Sequence, residues 1–280
     1  MRRETGGPLR QQYQSARHLA EMTIYFRRRP YRDAVNSMSA EQSLTLTGSP
    51  GQEDMIAVWD EHPDEDYRRD MSHWRGHGRW TDDKWASIGA GTLRSIYRAA
   101  TALGRDVPTG PLLEWGPGGG ANLVACAGIS QRLYGADIST SNLAECARVL
   151  AELDYPPKFR PILVGEDPTS VVDAIDEPIE VFVSTAVFQH FPTREYGGEV
   201  LRAVADVLAP AGIGCVQIRY DDGTPKYLQK HDDYFGRHVT FTSYPLDGFW
   251  DLIKSVGLQP VNISSVNSKV NYAMFSFVAP

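Results

Sequence analysis

"PLLEWGPGGGANLVACA", residues 111–127, decides how this chain is read. A short apolar run carrying Glu114 gives way to Gly116, Gly118, Gly119 and Gly120, and an alanine-rich segment follows. A strand that breaks at glycines and resumes as a helix permits positive φ and lets backbone approach a ligand closely. Asp137 follows the turn by roughly 20 residues, the offset at which an acid meets a ribose hydroxyl pair. The spacing therefore points to a nucleoside-bearing cofactor. Gly116, Gly118 and Ala121 also satisfy the loose G-x-G-x-x-A pattern of dinucleotide sites, so the glycines alone leave two cofactor classes open. Glu114 weighs against a pyrophosphate, which it would repel, and for a cationic amine or sulfonium.

From residue 111 onward strands and helices alternate. Strands are expected at "PLLEW", "RLYGADI", "FRPILV", "EVFVST" and "IGCVQIRY". Helices are expected at about 120–127, 141–153, 195–208 and 246–256, with Gly257 as a C-cap and a short helix near "SVVDAI". The ending, "LQPVNISSVNSKVNYAMFSFVAP", reads as two strands joined around Asn267–Lys269, a terminal hairpin. Alternating units imply a parallel sheet with helices on both faces, and the hairpin adds an antiparallel member. Upstream, Thr81 or Asp82 caps a helix to about Leu103, with Trp85, Ile88, Leu93, Ile96 and Tyr97 on one side. Residues 1–80 show no convincing strand and are expected to form a helical and loop cover: a polar helix over 9–29, a loop over 37–54, and a mixed acidic stretch over 57–71. The expected division is a cover at 1–80 and a cofactor-binding domain at 81–280.

Over about residues 85–280 the sequence resembles the class I S-adenosylmethionine-dependent methyltransferases. The acid-x-Gly-x-Gly-x-Gly turn stands here as "EWGPGGG", the ribose acid matches Asp137 in "YGADIS", and "VGEDP" offers Glu166 or Asp167 for adenine. "VSTAVFQHFP" matches the family's segment after the fourth strand. The resemblance implies a Rossmann-like, seven-stranded, mostly parallel α/β sheet with a C-terminal antiparallel hairpin. It implies S-adenosyl-L-methionine held by Glu114, Gly116, Gly118, Gly120, Asp137, Ile138, Glu166 or Asp167, Thr185 and Phe188. Phe188 is read equally well as core, and Asp137 also as a helix cap.

Methyl transfer is an in-line displacement in which orientation supplies much of the rate, and a neutral hydroxyl acceptor also needs a base. His190, five residues beyond Thr185, is the best single candidate base; the stronger alternative reading has it shape the cofactor pocket or cap the helix that follows. The segment "RYDDGTPKYLQKHDDYFGRHVTF" brings Tyr220, Asp221, Asp222, His231, Asp232 and His238 as candidate catalytic or acceptor-binding residues. Asp221 or Asp222 with Asp232 would suit a hard cation, but no dense ligand spacing supports one, and no metal is expected. "HWRGHGRW" places Trp74, His77, Arg79 and Trp80 as a lid or as a pin for the cover.

Charge narrows the partners. Among 280 residues, 42% are hydrophobic and the net charge is −7, which disfavours a nucleic-acid binder. Arg27, Arg28, Arg29 and Arg32 read first as a solvated surface and second as a grip on an anion. Cys126, Cys146 and Cys215 are unpaired by spacing and read as core fillers, which argues against disulfides or zinc. No signal peptide or membrane span is visible, and the cytoplasm is the default location. The expected activity is methylation of a hydroxyl on a small molecule, a sugar or specialised metabolite, with N- or C-methylation as alternatives. An NAD(P)-dependent oxidoreductase is the rival class, but no Tyr-x-x-x-Lys dyad stands between the fourth and fifth strands. A homo-oligomer is compatible with all of these readings.

Overall fold

A computed structural model describes residues 51–165 and 167–280. The helix expected over 9–29, the arginines at 27–32, most of the loop at 37–54 and the candidate Glu166 lie outside the described residues.

The sheet has seven strands: β1 (Leu112–Trp115), β2 (Arg132–Asp137), β3 (Lys158–Leu163), β4 (Ile179–Ser184), β5 (Leu208–Arg219), β6 (Gln259–Asn267) and β7 (Tyr272–Val278). They lie in the order β3-β2-β1-β4-β5-β7-β6. The first five run parallel, and β7 is antiparallel to both β5 and β6, as the terminal hairpin implied. The chain reverses its direction of winding between β1 and β4, so a crevice opens at the carboxyl ends of those strands. β5 begins at Leu208, earlier than the sequence pattern indicates. Leu208 pairs with Ile179 ahead of a register irregularity, after which Ile213 pairs with Val181.

Both faces of the central strands are buried, and alternate residues serve opposite cores. Leu113, Trp115, Phe182, Val216 and Ile218 face one cluster, with helices α6 (Arg194–Val207) and α7 (Leu246–Ser255) supplying Val200, Leu201, Val204, Phe249 and Ile253. Leu112, Leu133, Val181, Val183 and Cys215 face the other. There α3 (Asp82–Ala102), α4 (Ala121–Cys126) and α5 (Thr140–Ala151) supply Ile96, Leu123, Cys126, Cys146 and Leu150. Phe182, Phe188, Phe249, Phe275 and Phe277 are fully enclosed, and each such side chain contributes roughly 1.5–3 kcal/mol. All three cysteines are buried and free.

α3 departs from expectation at Tyr97, which is 49% exposed. The buried positions Trp85, Gly89, Thr92, Ile96 and Ala99 recur every three or four residues, and Tyr97 falls beside that stripe. Gly89 lets α3 approach α4, since a Cβ there would stand 2.3 Å from the Ala121 carbonyl.

The cover is more ordered than its sequence indicates. α1 (Gln52–Trp59) occupies the end of the expected loop, opened by the Gly51 amide donating to Asp54 at 2.8 Å. α2 (Glu65–Met71) is capped by Asp64, which accepts from the Tyr67 amide at 3.0 Å. The described residues all fall within one compact unit, so residues 51–80 share a body with the sheet. Gln52 Nε2 donates to the Val164 carbonyl at 3.1 Å, and Ser139 Oγ donates to Asp60 at 2.7 Å. No helix among the described residues is long and apolar enough to cross a membrane.

A candidate cofactor and acceptor cavity

The crevice holds a cavity of about 820 Å³, counting its open mouth. Its floor is Trp115, Gly116, Gly118 and Gly119 after β1, Ala136 to Ile138 after β2, and Thr185 to Val187 after β4. Its roof is the cover: Met55 and Trp59 of α1, Met71 of α2, and the strap Ser72–His73. His190, Phe191 and Tyr196 close the remaining side.

The glycine turn works by geometry more than by offering donors. Gly116, Gly118 and Gly120 have φ of 70°, 50° and 80°. Their amides are committed: Gly116 to the Ala136 carbonyl, Gly120 to that of Pro117, and Gly119 to that of Ser72 at 2.7 Å. Gly118 N–H donates to Asp137 Oδ2 at a long 3.4 Å. What the glycines permit is closeness. A Cβ on Gly116 would lie 2.4 Å from Val187, and one on Gly119 would lie 2.4 Å from the His73 carbonyl.

Two buried carboxylates flank the turn. Asp137 accepts from the Ser139 amide at 2.9 Å, beside the start of α5. Burial pushes its carboxyl up to about 6, against the pull of backbone hydrogen bonds from Ser139 and Gly118. Glu114 stands one layer behind the wall. Asn122, which lines the cavity, donates to Glu114 Oε1 at 2.6 Å and to Thr185 Oγ1 at 2.8 Å. Burial raises the Glu114 carboxyl to about 8. Glu114 Oε2 and Asn122 Oδ1 are buried acceptors with no partner among the described residues. Orphaned acceptors in an acidic corner suit a cationic ammonium, and the Asp137 carboxylate suits a pair of hydroxyls. These residues fit an aminoacyl nucleoside.

Glu114 carries a pH signature. Its folded-state value lies above its ordinary 4.5, so its contribution to stability is complete below 4.5 and is lost as pH rises through about 8. Glu114→Gln keeps the acceptor for Asn122 and removes that loss. The variant is expected to melt roughly 5 °C higher at pH 8, with little change at pH 5. At pH 9, where Glu114 is ionised, it is also expected to bind S-adenosylhomocysteine roughly tenfold more weakly, because the charge behind Asn122 is gone. Melting curves at both pH values and calorimetric titration read the two effects.

His190 lies in the wall as a neutral ring. Its Nδ1–H donates to the His238 carbonyl at 2.7 Å, and Nε2 accepts from Gln189 Nε2 at 3.1 Å. Burial holds it down to about 3. His73, in the strap, is held near 4 by burial and by Arg79. Its ring packs 4.1 Å from Trp80.

Of the residues singled out from the sequence, the structure gathers Gly116, Gly118, Asp137, Ile138, Thr185 and His190 at the cavity. It does not gather the others. Phe188 is 0% exposed and stacks with Phe191, Tyr244 and Phe249, a core position. Gly120 packs against Val149 and Cys146 beneath the turn. Asp167 caps the 3-10 helix Pro168–Ala174 through the Thr169 amide at 2.8 Å. Asp221 pairs with Arg194 at 3.3 Å, and Asp222 accepts from the Thr224 amide at 2.9 Å, so local turns consume both. His231 is exposed, and Tyr220 bridges to Tyr244 away from the cavity. His238 stands behind His190, its Nε2 2.8 Å from the Tyr67 hydroxyl. Trp80 backs His73 without lining the wall. Among the described residues no trio of His, Cys, Asp or Glu is placed to hold a metal ion. Sequence reasoning missed Met55, Trp59, Met71, Ser72 and Asn122. Only Asn122, two residues past the last glycine, carried a positional signal.

Residues 113–216 match the family model described as a methyltransferase domain. No curated protein sequence matches the chain. Among solved structures, the chain is similar to magnesium protoporphyrin IX methyltransferase (ChlM) from Synechocystis PCC 6803 with bound SAM, at 15% identity. That match covers 81% of this chain and 97% of that one, with a TM-score of 0.57. N-methyltransferase NodS from Bradyrhizobium japonicum WM9 matches at 13% identity over 71% of this chain and 98% of that one, TM-score 0.51. A cyclase, SpnF, matches at 12% identity over 84% and 99%, TM-score 0.54, so the fold also hosts other chemistry. The glycine turn, its flanking carboxylates and the sheet order agree with the family match: residues 113–216 match a methyltransferase domain, and the sheet that holds them has the fold of solved S-adenosylmethionine-dependent methyltransferases.

Proposed function

We propose that this protein methylates an oxygen of a small molecule enclosed beneath the cover. The observation that carries this reading is the roofed cavity, whose cofactor end is acidic and whose other end has no carboxylate in its wall. An amine acceptor is protonated near neutrality and would call for an anion there; a hydroxyl does not. The cover at 51–80 excludes water and shapes the acceptor, and the sheet domain from residue 81 supplies the cofactor half.

S-adenosyl-L-methionine supplies an electrophilic methyl group when bound. Asp137 accepts hydrogen bonds from the ribose, Asn122 Oδ1 with Glu114 behind it receives the ammonium, and Gly116 and Gly118 allow close approach. Ile138 and Thr185 complete that half. His190 accepts a hydrogen bond at Nε2 and orients the acceptor hydroxyl in exchange for Gln189. Its low basicity makes it an orienting group rather than a strong base.

The test is transfer of labelled methyl from S-adenosylmethionine into a pool of hydroxylated small molecules, with products identified by mass. O-methylated product is expected, and S-adenosylhomocysteine but not NAD should raise the melting temperature. The rate should show no acid limb from His190 between pH 5.5 and 8, because a group titrating near 3 is already neutral there. His190→Ala should lower kcat roughly 10- to 100-fold with little change in cofactor affinity. Product methylated only on nitrogen or carbon, or stabilisation by NAD, would overturn the proposal.

A further inference from the structure

Beyond His190 the chain assembles a corner rich in donors that the reaction as described does not use. Arg219 closes β5. Val216 pairs with Ser184, the last residue of β4, so Arg219 stands three residues further, roughly 10 Å past the strand end on the cavity side of the sheet. It is 6% exposed. One guanidinium nitrogen donates to the Val270 carbonyl at 2.6 Å and another to the Tyr272 hydroxyl at 2.9 Å, while Nε is buried without a partner. No carboxylate among the described residues pairs with it; Asp221 is held by Arg194, and Asp222 by its own turn. The rings of Tyr272 and Tyr227 lie 4.5 and 5.5 Å from the guanidinium carbon.

Tyr272 collects the donors. Its hydroxyl oxygen accepts from Arg219 and also from Gln189 Nε2 at 3.2 Å. His190 fixes which way that amide faces: Nδ1 must carry the hydrogen to reach a carbonyl, so Nε2 needs the amide NH₂. The hydrogen of the Tyr272 hydroxyl is thus left without an acceptor. Arg79, carried in from the cover with its side chain half exposed, pairs with Asp70 at 3.8 Å, and its charge is felt at the same phenol. Through Gln189 this group stands one hydrogen bond behind His190 of the cavity wall, and a buried cation with an unused O–H calls for an anion. The opposite, cofactor end holds Glu114 and Asp137.

We propose that the methyl acceptor carries a carboxylate, bound by the Tyr272 hydroxyl with Arg219 behind it and Arg79 beside it. The site is then polarised end to end, its acids toward the cationic cofactor and the Arg219 guanidinium, set behind the lining residues, toward the anionic acceptor. This rests on the methyl-transfer reading and names the substrate class for the same site.

The experiment titrates the complex with S-adenosylhomocysteine using two probes of one shape, 4-hydroxybenzoate and 4-hydroxybenzamide. The carboxylate is expected to bind at least tenfold more tightly than the amide. That preference should disappear in Tyr272→Phe and shrink severalfold in Arg79→Gln, with both variants retaining the parent's affinity for S-adenosylhomocysteine. Arg219→Ala is not used, since a buried guanidinium also holds the hairpin turn. Equal binding of the two probes, binding of neither, or a preference that survives Tyr272→Phe overturns the proposal and leaves the methyltransferase reading intact. Failure of S-adenosylhomocysteine itself to bind would instead strike at that reading.

Discussion

Asp137→Ala should weaken S-adenosylhomocysteine binding roughly 100-fold or more. Hydrogen bonds to a charged group are worth about 1.5–3 kcal/mol each, and a ribose offers two. The substitution also frees the Ser139 amide, which the carboxylate engages at 2.9 Å, and the Gly118 amide. Asp137→Asn separates the two roles. The Asp137 carboxyl is raised from 3.8 to about 6, so its stability contribution is complete below 3.8 and is lost as pH rises through about 6. At pH 7 ionisation therefore costs the ligand-free fold on the order of 3 kcal/mol. Asparagine removes that cost, so this variant should melt no lower than the parent at pH 7 while still binding the cofactor at least tenfold more weakly. Calorimetric titration and melting curves check both; unchanged affinity in the alanine variant would remove Asp137 from the site.

Gly119→Ala is expected to lift the cover off the turn. Gly119 does not have a left-handed φ, so the cost of alanine is want of space. A Cβ would stand 2.4 Å from the His73 carbonyl and 2.7 Å from Trp74 Cα, both backbone atoms of the strap. Overpacking costs about 1–3 kcal/mol, and rigid neighbours push it to the upper end. The strap is tied to the sheet domain by Ser72 accepting from Gly119, by Trp74 Nε1 donating to Asn142 at 2.9 Å and by Arg75 pairing with Asp82 at 2.9 Å, and the first of these lies where the Cβ would intrude. Methyl transfer should fall roughly 100-fold as water enters. Tryptic cleavage after Arg75 and Arg79 should accelerate, and S-adenosylhomocysteine affinity should drop far less than the rate. Parent-like cleavage with full activity would show that the strap yields without opening.

The sheet was legible because its signals are local. Apolar runs such as Leu112–Trp115, punctuated by glycines and followed by helical spacing, have few other solutions, and the absence of a helix between β6 and β7 dictates an antiparallel ending. Part of the cavity floor was legible for the same reason: Gly116, Gly118 and Asp137 lie at fixed offsets along one strand-turn-helix-strand path. The roof was not. Met55, Val58 and Trp59 sit in one short helix whose apolar run, Met55–Trp59, shows no helical period, and only the tertiary fold shows that Met55 and Val58 are buried. The acids after β5 misled because Asp and Asn cap their own backbone as readily as they bind ligands. Asp221 and Asp222 do so, accepting from the amides of Gly223 and Thr224. The pairing of His190 with His238 spans 48 residues, a separation no local pattern encodes.

Everything the roof contributes to the wall, from Met55 to His73, comes from one uninterrupted stretch, whereas the floor is assembled from loops scattered along the sheet. A change confined to that stretch would therefore redraw one whole wall of the cavity while the glycine turn and Asp137 stayed where they are.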